Sequence, residues 1–83
     1  MLEFKFDTQL LIEGKDLDED VIGAYITEHF KGDCLLCVGD DELIKIHFHT
    51  NEPWLVLAYA ATVGDIYDIV VENMERQEQG LDG

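Results

Sequence analysis

A chain of 83 residues, 47% hydrophobic with four Phe, three Tyr and one Trp, is sized for one domain with one core and leaves no room for a large enzyme. The apolar and aromatic content also excludes a disordered tail, although five Lys and Arg stand against 19 Asp and Glu for a net charge of −14. Such a surface repels phosphate backbones and anionic membranes, which weighs against nucleic acid and membrane as partners.

Residues 2–12, LEFKFDTQLLI, alternate with period two. Leu2, Phe4, Phe6, Thr8, Leu10 and Ile12 fall on one side, and Glu3, Lys5, Asp7, Gln9 and Leu11 on the other, which predicts a half-buried first strand. Asp16 with Glu19 three residues on has capping-box spacing, and Val21, Ile22, Tyr25, Ile26 and Phe30 recur at helical spacing up to Gly32. A helix over 17–31 is expected.

A second strand over 34–39 leads into GDDE, whose Gly and Asp residues suit a hairpin turn. The third strand, 42–49, separates Ile44, Ile46 and Phe48 from Lys45, His47 and His49. Thr50 and Asn51 are candidate caps of a second helix with Pro53 in its first turn and Gly64 at its end. DIYDIVVENM, 65–74, reads as the last strand, and ERQEQGLDG as a fraying polar tail.

The order β-α-β-β-α-β predicts an α+β, ferredoxin-like sandwich: a four-stranded antiparallel sheet in the order 4-1-3-2 with two helices on one face. The reading sets strands one and three side by side and parallel in the centre. Their polar sides then face away from the helices, so that Asp7 and Gln9 come beside Lys45, His47 and His49.

Residues two apart on a strand point the same way, so His47 and His49 can converge on one ion. Asp7 completes a two-histidine, one-carboxylate set suited to zinc or another divalent transition metal, with a position left for water or a partner's side chain. Two other readings stay open: solvated polar residues on a wet sheet face, and a catalytic pair. Catalysis has no visible nucleophile or Gly-rich phosphate loop to work with.

Cys34 and Cys37, three apart in a strand, are expected on opposite faces as small apolar residues rather than as a chelate or disulfide. His29 reads as structural near a helix C-terminus. Trp54 is an edge-of-core or interface anchor, and exposure would favour the interface. With no leader pattern, and with apolar runs short of the ~20 residues that span a bilayer, the chain reads as cytoplasmic.

FDTQLLIEGKDLDED, VGDDELIKIHFHTNEP and GDIYDIVVENMERQ together resemble the middle domain of the dihydroxyacetone-kinase-like proteins associated with bacterial fatty acid kinase. The resemblance runs over nearly the whole chain. It implies that residues 1–83 are one domain of a larger multidomain protein, an ATP-dependent kinase component whose ATP and magnesium site lies in a separate nucleotide domain.

It also implies partners: the other domains of the parent chain, a separate acyl-binding subunit, and a second copy in a homodimer. Many family members carry Cys-Thr-Glu where this sequence has Asp7-Thr8-Gln9, and that Cys joins two histidines in a metal site. The matching positions here are Asp7, His47 and His49, so a carboxylate stands in for a thiolate and hardens the ligand set. The function expected is a non-catalytic middle domain serving dimerisation, domain placement or partner contact. The alternative is a free-standing small metal-binding or ligand-sensing module.

Overall fold

The computed structural model describes residues 2–83. The elements follow as β1 (Phe6–Glu13), α1 (Glu19–His29), β2 (Gly32–Gly39), β3 (Leu43–Thr50), α2 (Pro53–Val63), β4 (Asp65–Asn73) and a short α3 (Met74–Glu78). The four strands form one sheet in the order β2-β3-β1-β4, which is the expected 4-1-3-2 arrangement read from the other edge.

Every neighbouring pair is antiparallel, the central β1–β3 pair included. This corrects the expectation that strands one and three run parallel. The crossover through α1 brings β2 back in the direction of β1, and the tight turn after Gly39 reverses β3, so β3 must oppose β1. Adjacency of the two strands survives the correction, and with it the placement of Asp7 beside the histidines.

Helices α1 and α2 cover the same face. Leu10 and Ile12 of β1 and Ile44, Ile46 and Phe48 of β3 pack with Ile22 and Ile26 of α1 and with Val56 and Ala60 of α2 in one buried cluster. The alternation that hides these residues leaves Asp7, Gln9 and Leu11 of β1, and Lys45, His47 and His49 of β3, on the open face. Across the layer between the helices, Tyr25 stacks on Tyr59 with ring centroids 3.9 Å apart.

Several boundaries move for local reasons. β1 starts at Phe6 rather than Leu2. The cap of α1 is Asp18, whose carboxylate accepts from the N–H groups of Asp20 and Val21; Asp16, the expected cap, has φ +56° and lies in the preceding turn. Glu19 makes no capping box and accepts from the Gly39 N–H at 2.8 Å, tying α1 to the end of β2.

Neither Thr50 nor Asn51 caps α2, whose N-cap is Glu52 with no side-chain bond. Thr50 ends β3 and donates to the Lys31 carbonyl, while Asn51 bridges the Lys5 N–H and the Glu3 carbonyl. The first part of the expected fraying tail, residues 75–78, instead joins α3, with the Asn73 side chain accepting from the Arg76 N–H.

The β2–β3 turn is held by Asp40, whose Oδ1 accepts from the N–H groups of Glu42 and Leu43 at 2.9 Å each. These two bonds hold its carboxyl below the usual carboxylate range. Gly39 has φ +151°, and a Cβ there would strike the Leu43 carbonyl oxygen. Only glycine permits this turn.

Candidate metal centre

The site stands on the two central strands. Antiparallel pairing sets Asp7 opposite His49 and Gln9 opposite His47, so all four side chains share the open face and the rigid sheet fixes their bases. β2 closes one side: Gly32 is paired with Thr50 and Asp33 with His49. A Cβ on Gly32 would collide with the His49 carbonyl oxygen and the Phe48 ring, so the absence of a side chain lets β2 approach the histidine strand this closely.

Three donor atoms converge. His47 Nε2 lies 3.0 Å from Asp7 Oδ1, His49 Nε2 lies 3.9 Å from the same oxygen, and the two Nε2 atoms are 3.2 Å apart. Ligands ~2.1 Å from an ion at tetrahedral angles lie ~3.4 Å from one another, and the three observed edges bracket that value. The site brings together every residue that the sequence assigned to it: Asp7, His47 and His49.

Asp7 carries the second observation. Its Oδ1 is buried and has no well-aligned hydrogen bond, its close neighbours being the two imidazole Nε2 atoms, while its Oδ2 accepts from Gln9 Nε2 at 3.3 Å. A buried carboxylate oxygen is costly unless a cation or a proton meets it, and here the two imidazole nitrogens stand near enough to bring either one. Gln9 turns the carboxylate so that this lone oxygen faces the two imidazoles, the kind of outer contact that orients metal ligands.

The 3.2 Å contact between the rings requires one of them to carry its proton on Nε2, and an ion between the three atoms would take that proton's place. Two imidazoles and one carboxylate suit zinc and neighbouring divalent metals and leave a fourth position open. The donor set fits such an ion. A net charge of −14 draws cations towards the surface in general but selects none of them.

The other singled-out residues separate cleanly. His29 Nδ1 contacts the Tyr25 carbonyl and its ring stacks on Tyr25, a structural role as expected. Trp54 is 57% exposed, which favours the interface reading over a place at the core edge. Cys37 packs against the core, and its Sγ donates to the Glu19 carbonyl. Its thiol is pushed up to about 11, chiefly by burial and then by the charges of Glu19 and Asp20.

Cys34 departs from its expected role as a small apolar residue. It is exposed with φ +55° at a bulge in β2, and its sulfur joins Asp33 and His49 in a second group of metal-capable donors. Regular parity sets Cys34 on this face with Leu36 and Val38, but it would turn Asp33 to the other side; the bulge breaks the count and brings Asp33 opposite His49. The Gly32-Asp33 pair just before Cys34 was the available signal.

Comparison with known proteins places the chain in a family. Residues 3–81 match the middle domain of the FakA-like family, the A-like component of fatty acid kinase. Protein YloV of Bacillus subtilis is 32% identical over 96% of this chain, and the match covers 15% of that protein. A Staphylococcus haemolyticus protein, SH1689, is 32% identical over 94% of the chain and 14% of its own length. A Staphylococcus epidermidis protein, SERP0792, is 42% identical over 58% of the chain and 9% of its own length. The chain thus spans about one seventh of the first two relatives, 15% and 14% of their lengths. With this family match over almost every residue, the chain belongs to the FakA-like fatty acid kinase family and corresponds to its middle domain.

Proposed function

We propose that this domain is a non-catalytic part of an ATP-dependent, fatty-acid-kinase-like protein. Its open sheet face holds one divalent transition metal, zinc by preference, on Asp7, His47 and His49. The metal and the surrounding face place the domain against another protein surface: another domain of the parent chain, a second copy, or an acyl-binding subunit. The observation that carries the metal reading is the convergence of the buried Asp7 Oδ1 with two imidazole Nε2 atoms, one of them 3.0 Å away.

The contact reading is supported by what surrounds the donors. Pairing puts Leu36 and Val38 of β2, and Tyr67 and Val70 of β4, on the open face, and all four are exposed. Leu11 lies between them on β1. Exposed apolar side chains flanking polar ligands on an open sheet face suit burial against a partner.

Zinc titration into metal-free protein, followed through the histidine ring resonances, tests the metal reading. Shifts in the His47 and His49 rings at one equivalent are expected, and unperturbed rings at neutral pH would return the pair to a solvated strand face. Light-scattering mass with and without zinc tests self-association. A monomer in both conditions would direct the apolar strip to the other domains or to the acyl-binding subunit.

A further inference from the structure

The far edge of His49 faces a second donor set. In β2, Asp33 pairs with His49 and Leu36 with His47, so Cys34 and Leu35 together fill the space of one residue opposite β3. Cys34 takes the left-handed conformation, φ +55°, which is disfavoured for a residue with a Cβ. Bulges of this kind re-aim side chains. Here Cys34 Sγ, an Asp33 carboxylate oxygen and a His49 ring nitrogen all lie within 4.8 Å of one another.

Asp33 meets the other nitrogen of the ring: its Oδ1 is 3.7 Å from His49 Nδ1, whereas Asp7 and His47 face Nε2. We propose that Asp33, Cys34 and His49 Nδ1 form a second, thiolate-containing position for a soft divalent cation, and that it competes with the Asp7–His47–His49 position for the imidazole of His49. The second position needs neither Asp7 nor His47, whereas the competition rests on the function proposed above.

Competition follows from the ring. A neutral imidazole has a lone pair on one nitrogen and a proton on the other. Ligation through Nδ1 leaves the proton on Nε2, pointing at Asp7 and His47, and ligation through Nε2 leaves it on Nδ1, pointing at Asp33. One ion is held at a time. The two positions differ in chemistry, because a thiolate selects softer ions than a carboxylate does. Binding at the second position forms a sulfur–metal bond and releases the Cys34 thiol proton to solvent.

One edge of the set is near that of a bound site, and the other donor atoms lie within 4.8 Å. The 3.7 Å edge stands close to the ~3.4 Å expected between two ligands of a tetrahedral ion. Asp33 and Cys34 are both exposed, so their side chains are free to turn and close the remaining distance. Solvent supplies the fourth ligand.

Cadmium titration, read by the ultraviolet thiolate-to-metal charge-transfer band, tests the proposal on the parent chain, Cys34→Ser, His47→Ala and His49→Ala. The band is expected in the parent and in His47→Ala, and is expected to vanish in Cys34→Ser and in His49→Ala. Loss of the band in His47→Ala would make Cys34 a fourth ligand of the first position and overturn a second one. A band that persists in Cys34→Ser or His49→Ala, or its absence from the parent, would also overturn it. Zinc-induced shifts of the histidine rings in Cys34→Ser, which keeps Asp7 and His47, report separately on the first position. Unchanged urea midpoints establish that each variant is folded.

Discussion

Asp7 is paired across the ladder with His49, yet its Oδ1 stands nearer to His47, 3.0 Å against 3.9 Å. Strand twist brings one diagonal neighbour closer than the direct partner, and the carboxylate, turned by Gln9, leans along that diagonal. One oxygen thereby reaches both imidazoles. The site depends on Asp7 as its centre rather than on the His-x-His spacing alone.

Asp7→Cys is expected to tighten zinc binding by at least about tenfold, because thiolate is the softer ligand. Asp7→Ala weakens it by a similar factor, and His47→Ala removes it. Competition against a chromophoric chelator measures all three. Affinity also falls on acidification, because protons compete for the ligating nitrogens. An Asp7→Cys protein that binds zinc no better than the parent would show that position 7 does not ligate.

Neighbours in sequence should separate stability from binding. Ile46 is fully buried between the helices and the sheet, and Ile46→Ala should cost about 2–5 kcal/mol in urea unfolding. His47→Ala, on the open face, should change stability by no more than about 0.5 kcal/mol. Equal losses at the two positions would contradict the two-faced sheet.

Alkaline pH should destabilise the fold through Cys37. Its thiol is raised from 9.0 to about 11 in the folded protein, so above the lower value the unfolded chain loses a proton that the folded chain keeps. The stabilisation is fully present below pH 9.0 and is lost as pH rises towards about 11. Tyr59, also raised by burial, adds in the same direction. Cys37→Val should flatten part of the fall in urea midpoint between these limits, and an unaltered profile would assign the fall to Tyr59 or other groups.

Calorimetry with ATP, with and without magnesium, should give no binding to this domain. Its strong negative charge opposes a triphosphate, and the sequence carries no Gly-rich phosphate loop. Measurable heats of specific binding would overturn the non-catalytic reading.

Period-two alternation in residues 6–13 and 43–50 was enough to divide core from open face, because side chains on a strand have only two directions and burial selects one of them. From the order of the elements the sheet arrangement followed, and so did the proximity of Asp7 to the two histidines. The same order also fixes the direction of the central strands, because a crossover through α1 returns β2 along β1 and the Asp40 turn reverses β3; the expected parallel pair contradicted it. Sequence could not place the caps, since Asp16 and Asp18 offer the same chemistry and only the backbone decides which carboxylate faces the free N–H groups of α1.

The second donor set around His49 belongs wholly to tertiary structure. A bulge at Cys34 is set by how β2 fits against β3, with Gly32 allowing close approach at one end and Gly39 turning the chain at the other. One extra residue between those fixed points reverses the parity of everything before it. The shared face of Asp7, His47 and His49 was therefore legible from a regular alternation, whereas Asp33 joins Cys34 beside His49 only because packing broke it.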